Sequence, residues 1–108
     1  MEDASRFKLV WFVPPAGLAA TRDAVFAAGA GWIGDYSRCS FAVMGEGTFF
    51  GGEGTSPRVG MVGRDQRVTE FRVETVVPRE RLAAVVQALR RAHPYEEPAY
   101  DVYPLVDA

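Results

Sequence analysis

The sequence predicts an α+β fold with the element order βαββαβ, the ferredoxin-like arrangement of two helices on one face of a four-stranded mixed sheet. The main observation is an internal repeat, because residues 7–28 and residues 71–92 align at a fixed offset of 64. Eight of these 22 positions are identical, among them Phe7/Phe71 and Pro14/Pro78. Each copy reads as a strand followed by a helix, and each helix leads into another strand-like run.

The first copy begins with Phe7–Val13, which is apolar at nearly every position, as in a strand covered on both faces. We expect the sheet face away from the helices to carry Trp11 or its neighbours and some of the tyrosines. After the helix, Ser37–Met44 reads as a strand that places Cys39, Phe41 and Val43 on one face. In that position Cys39 would be a buried, inert thiol.

The second copy alternates apolar and polar residues from Phe71 to Val77, as a half-buried strand does. Pro78 cannot donate to a ladder and suits the first turn of a helix, so it marks the change from strand to helix. The helix has an apolar stripe that includes Val85 and Leu89. The final strand is predicted over Ala99–Leu105, with Tyr100 on the same face as Val102.

Length and composition describe one small domain, residues 1–108 with a core of about 7–106. The net charge of −2 gives no reason to expect nucleic acid or an anionic membrane as a partner. A single cysteine fits a reducing compartment. Because the sequence has neither a membrane-length apolar run nor a basic start of a signal peptide, we expect a cytoplasmic protein.

Two glycine-rich stretches suggest phosphate binding, but neither fits the motif it resembles. Gly29–Gly34 has the spacing G-x-G-x-x-G, yet it follows a helix and precedes a strand, which is the reverse of a dinucleotide site. Gly29 is better explained as a helix C-terminal residue with positive φ. The glycine-rich segment of about 45–66 has no G-K-[ST] sequence and predicts a long loop, in which Phe49 and Phe50 would extend a strand. Arg58 and Arg64 could bind an anion there.

The segment from His93 to Leu105 contains the one histidine of the chain and invites a metal hypothesis. Within one subunit, His93, Glu96, Glu97 and Cys39 offer a single nitrogen and a single sulfur, which is few for a zinc or iron site. Symmetry across an oligomer interface could repeat them, so a divalent metal is the one cofactor considered. The alternative is structural, with His93 as an imidazolium at the end of the helix that Pro94 stops.

No catalytic arrangement emerges from the sequence, so we do not predict an enzyme. Ser37, Ser40 and Cys39 would have to share one histidine as the base, and no oxyanion site is visible. Glu96 and Glu97 are adjacent, and in a strand they would point to opposite faces rather than form a carboxylate pair.

Four segments nevertheless resemble a known family. These segments are Gly29–Phe41, Gly45–Phe49, Glu53–Gly60 and His93–Leu105, and they resemble the accessory domain of the NGG-interacting factor three family. In bacterial members that domain is inserted into a larger domain resembling a dinuclear-metal hydrolase, whose metal-binding residues have no counterpart in this sequence. The accessory domain is similar to the PII signalling and CutA proteins, which are ferredoxin-like trimers.

The resemblance implies a homotrimer that binds a small molecule or a protein partner in clefts between subunits. The alternative it leaves open is a CutA-like protein that binds a divalent metal. The residues expected to face a shared cleft come from the loop after the first helix, the glycine-rich segment and the end of the chain. They are Tyr36, Arg38, Arg58, His93, Tyr95, Glu97 and Tyr100.

Overall fold

The computed structural model describes residues 4–55 and 62–108, and the elements follow the predicted order. Arg58 lies outside the described residues. The strands and helices are β1 (Arg6–Val13), α1 (Leu18–Ala27), β2 (Ser40–Phe50), β3 (Asp65–Pro78), α2 (Leu82–Ala92) and β4 (Tyr100–Pro104). Strand β2 thus extends well into the segment predicted as a glycine-rich loop of 45–66, because Gly45 and Gly47 pair with Glu70 and Val68 of β3.

The sheet has the order β2-β3-β1-β4, and every neighbouring pair is antiparallel. The expectation of a mixed sheet was therefore wrong. Strands β1 and β2 run in the same direction, as the crossover through α1 requires, but β3 lies between them. The sequence order of a βαβ unit does not reveal that a third strand will separate its two strands.

The internal repeat gives the centre of the sheet an approximate two-fold symmetry. Strands β1 and β3, which begin the two copies, pair so that Phe7 faces Val77 and Val13 faces Phe71. At the middle of the ladder Val10 faces Glu74, its own equivalent in the other copy. The first strands of the two copies are therefore antiparallel neighbours, and their helices α1 and α2 pack side by side.

Both helices begin in the same way, because a proline ends each preceding strand. Pro14 and Pro78 have extended backbones, with φ −64° and −69°, and each is followed by one turn of 3₁₀ helix. Each α-helix then starts at the repeated leucine, Leu18 or Leu82. The sequence prediction that Pro78 joins strand to helix is confirmed.

The core lies between the helices and one face of the sheet. Its fully buried side chains include Leu9, Trp11, Val13, Val25, Val73, Val77, Val85 and Leu89. Trp11 therefore faces the helices. The expectation named Trp11 or its neighbours for the opposite face, and it is the neighbours Val10 and Phe12 that lie there. The Trp11 indole N–H donates to Thr21 Oγ1 of α1 at 3.0 Å, so the one polar atom of that side chain is paired inside the core.

The opposite face of the sheet is left uncovered by the described helices, and we call it the open face. Residues that pair across antiparallel strands share a face, so Phe41, Glu74, Val10 and Asp101 form one row across it. Glu74 pairs with Lys8 at 3.6 Å. Within the described ranges, no helix is long and apolar enough to cross a bilayer.

Candidate functional site

The structure separates the predicted cleft residues into two groups at opposite ends of the sheet. At the first end, the loop of residues 28–39 is bound to β3, because the Gly31 N–H donates to the carbonyl of Val76. Val76 pairs with Lys8 of β1, so this end of the sheet lies at Lys8. At the other end, His93 bonds to the carbonyl of Phe12. Lys8 and Phe12 are four residues apart on β1, or about 13 Å. We call these the turn end and the hairpin end.

The turn end is a tight, hydrogen-bonded loop with exposed aromatic side chains. Gly29, Gly31 and Gly34 all have positive φ, as predicted for Gly29 after a helix. Ile33 and Tyr36 exchange backbone hydrogen bonds of 2.9 and 3.0 Å across the turn. Trp32 and Tyr36 are 55% and 78% exposed, so this loop presents large apolar surface from a fixed backbone.

Arg38 and Cys39 anchor this loop rather than line a cavity. Arg38 has a φ of 58°, and its guanidinium pairs with Asp23 at 2.8 Å while stacking on Phe26. Cys39 precedes β2 instead of lying within a strand, and it is partly exposed, so the prediction of a buried mid-strand thiol was wrong. Its backbone is bound on both sides, to Gly31 and to the hydroxyl of Thr75.

His93 is a buried, neutral histidine that joins three segments. Its Nδ1 accepts a hydrogen bond of 3.1 Å from the Tyr95 N–H, so Nε2 must carry the proton that it donates to the Phe12 carbonyl at 2.6 Å. Burial lowers the pKa of His93 and outweighs the opposing effects of the Phe12 carbonyl and of Glu70. The structural alternative from the sequence placed His93 at the end of α2, where it lies. It also expected an imidazolium, which the lowered pKa of the buried ring disfavours.

The hairpin end contains a cleft of about 270 Å³ between the β2–β3 hairpin and the loop of residues 93–99. Its lining includes Phe49, Phe50, Val68, Glu70, Tyr95, Glu96, Glu97 and Ala99. Glu96 and Glu97 lie in a loop rather than a strand, so both reach the same cleft and the expectation of opposite faces was wrong. Tyr100, by contrast, packs against the core from β4, and its hydroxyl lies 3.3 Å from Arg90 Nη1.

Tyr95 and Glu70 meet at one wall of this cleft. The Tyr95 hydroxyl is buried and lies close to the Glu70 carboxylate. Burial, together with the nearby Glu70 carboxylate, raises the pKa of Tyr95 to about 12, so the hydroxyl keeps its proton. Sequence reasoning missed Glu70, because it looks like any polar position of an alternating strand.

No three His, Cys, Asp or Glu side chains gather into a metal-binding group among the described residues. Cys39 lies at the turn end, whereas His93, Glu96 and Glu97 lie at the hairpin end. Both nitrogens of His93 are already in hydrogen bonds. A metal site that combines these residues across subunits stays a prediction, and it would require His93 to give up a structural bond.

Comparisons with known proteins support the fold and the resemblance. No family model matches the chain. The GTP cyclohydrolase 1 type 2 homolog of Mycobacterium leprae is 53% identical over 103 residues, which make up 95% of this chain and 27% of that protein. The corresponding protein of Bacillus subtilis is 45% identical over 98 residues, or 91% of this chain and 26% of that protein.

Two solved structures show the same relationship at the level of the fold. A Bacillus cereus protein related to NIF3 superposes with a TM-score of 0.84 at 43% identity, covering 99% of this chain and 27% of that one. The CutA protein of Archaeoglobus fulgidus superposes with a TM-score of 0.70 at 14% identity, covering 95% of this chain and 86% of that one.

The fold is therefore the ferredoxin-like fold of the PII and CutA class. More particularly, the resemblance to the NGG-interacting factor three (NIF3) family is confirmed, because the chain is homologous to one segment of proteins of that family. The chain spans about a quarter of the length of the curated relatives it matches.

Proposed function

We propose that this chain is a non-catalytic, self-associating binding module, in which neighbouring copies complete the ligand cleft between them. The observation that carries the proposal is the separation of the predicted cleft residues. Tyr36 and Arg38 lie at the turn end, whereas Tyr95 and Glu97 lie at the hairpin end. One copy alone leaves the cleft open on one side, and a second copy supplies the missing wall.

The open face supplies apolar surface for association. Phe41, Val43 and Tyr103 are 67%, 50% and 45% exposed on it. Fully burying a large apolar side chain contributes about 1.5–3 kcal/mol, so three such residues offer a substantial driving force. Between them, Lys8, Glu74 and Arg72 form a charged network that would give the contact a preferred register.

A head-to-tail contact brings the two ends together. In such a contact the turn end of one copy meets the hairpin end of the next, and repetition closes a ring. The chemistry of the two ends is complementary: Trp32 and Tyr36 carry an N–H and an O–H donor, and Glu70 and Glu97 carry carboxylate acceptors in the cleft. We propose the homotrimer that the family resemblance implies.

We do not propose that this chain catalyses a reaction. The curated relatives are named as homologs of a GTP cyclohydrolase, but this chain matches about a quarter of each. The cleft of this chain offers carboxylates and aromatic side chains. The histidine beside it, His93, has both ring nitrogens in hydrogen bonds, and burial lowers its pKa. These groups suit recognition of a small ligand or a protein partner.

Mass measurement in solution tests the association. The wild-type chain should have the mass of a trimer, and Trp32→Asp at the turn end and Val68→Arg at the hairpin end should each give monomers. An equimolar mixture of the two variants should recover association, because one turn end and one hairpin end remain intact. Val106→Asp, at another exposed apolar position, is the control and should keep the wild-type mass.

A monomeric wild-type chain would contradict the proposal. If both variants dissociate but their mixture stays monomeric, the contact is not head to tail. Binding is tested separately by thermal-shift screening with nucleotides, anions and divalent metals, together with pull-down experiments. A chain that associates but shows neither a ligand nor a partner is not a binding module.

A further inference from the structure

One carboxylate of the hairpin cleft stands out because it is half-buried and forms no salt bridge with the described residues. Glu70 is half-buried on β3 and lines the cleft beside Tyr95. Among the described residues, the carboxylates of Asp23, Glu74 and Asp107 accept salt bridges, whereas Glu70 forms none. A partly buried carboxylate without a cation favours a positively charged ligand.

The neighbouring strand is shaped to hold this carboxylate. A Cβ atom added at Gly47 of β2 would overlap Oε1 of Glu70. Gly47 does not have a left-handed backbone. The reason for a glycine here is therefore space, because only a residue without a side chain lets Glu70 come this close. The carboxylate thus lies across β2, where Glu70 also lines a second cleft of about 280 Å³ with Phe12 and Arg72. Arg72 is engaged by Glu74 and the Phe12 ring.

The other walls of the cleft are apolar or aromatic. Phe49, Phe50 and Val68 line it from the hairpin, and Tyr95 lines it from the loop after α2. The Tyr95 hydroxyl is buried in this wall, next to the Glu70 carboxylate. An apolar cleft with a few placed polar groups is the usual form of a small-molecule site.

We propose that the hairpin cleft binds the ammonium group of a small organic amine, with Glu70 as its counter-ion. The ammonium fits between the Glu70 carboxylate and the aromatic walls, since both attract a cation. The apolar body of the amine packs against Phe49 and Val68. This inference rests on the proposed function, because it names the ligand class of the same cleft.

Isothermal titration calorimetry with 2-phenylethylammonium and its neutral counterpart 2-phenylethanol tests the ligand class. The ammonium should bind at least tenfold more tightly than the alcohol, because both share the apolar body and differ in charge. Glu70→Gln should remove this preference, whereas Glu80→Gln, on the turn beyond β3, should leave it unchanged. Equal affinity for the two probes, or an unaltered preference in E70Q, would overturn the proposal.

Gly47→Ala separates recognition from folding. The end of the Glu70 side chain can move away from the added methyl group, so the melting temperature should stay within a few degrees of wild type while ammonium affinity falls about tenfold. Unchanged affinity in G47A would show that the position of Glu70 does not matter and would also overturn the proposal. A trimer without ammonium selectivity refutes this inference alone, and a selective monomer refutes the proposed association alone.

Discussion

Both faces of the sheet carry large apolar side chains, but the helices cover only one of the two faces. On the helix-covered face, Leu9, Trp11 and Val73 are completely buried by α1 and α2. On the open face, Phe41 and Val43 stay largely exposed at the edge strand β2. The first face therefore holds the fold together, and the second carries the exposed apolar surface on which the proposed association depends.

This difference teaches that apolar character alone does not assign a side chain to the core. Val10 lies on the open face by its pairing with Glu74 and Asp101, yet it is fully buried because it is at the centre of the sheet. Phe41 lies in the same row at the edge and is exposed. Position across the sheet thus decides exposure as much as the choice of face does.

Substitution at Trp11 should give the largest loss of stability. Trp11→Ala removes the largest fully buried side chain, and we expect the free energy of unfolding to fall by about 3–5 kcal/mol. Phe41→Ser on the open face should change it by less than about 0.5 kcal/mol when measured on dissociated protein. Urea unfolding at low protein concentration measures both, and equal losses would contradict the contrast between the two faces.

Thr21→Val should have a smaller but clear effect on the helix-covered face. The valine keeps the shape of the side chain but leaves the buried Trp11 N–H without its acceptor, which costs about 1–3 kcal/mol. Thr69→Val, at an exposed position of β3, is the matched control and should be near neutral. If urea midpoints show that T21V is as stable as wild type, the indole–hydroxyl bond contributes nothing measurable.

His93→Gln should flatten the loss of stability in acid, and this is the smallest of the three effects. Burial lowers the folded-state pKa of His93 below its ordinary 6.5, so the unfolded chain binds the proton first as the pH falls. Stability from neutral His93 is therefore present above about pH 6.5 and is lost progressively below it. Glutamine does not titrate, although its amide N–H₂ can still donate to the Phe12 carbonyl.

The measurement for His93 is the urea midpoint at pH 7.5 and at pH 5.0 for both proteins. Carboxylates titrate in both, so the difference between the two pH dependences isolates the histidine. We expect wild type to lose more stability than H93Q over this interval. Parallel pH dependences would mean that His93 has the same pKa in the folded and unfolded states.

Much of the fold was predictable because the internal repeat shows the same short-range signals twice. The pairs Pro14/Pro78 and Leu18/Leu82 mark the same strand-to-helix junction twice, and proline and helix periodicity act over only a few residues. The sequence left open whether Trp11 or its neighbours face the helices, because Phe7–Val13 is apolar at nearly every position and shows no alternation. The sequence analysis named residues of both the turn end and the hairpin end, but it did not predict that the two ends are far apart.

The sequence by itself determined the elements, their order and the positions where each helix begins, since these depend on short-range sterics and periodicity. Only the tertiary structure decided which strand lies between β1 and β2 and which ring nitrogen of His93 carries the proton. It also decided that Glu70 reaches Tyr95 at the hairpin cleft. These properties depend on partners that are distant in the chain. His93 and the Phe12 carbonyl are 81 residues apart, and no local pattern encodes such a contact.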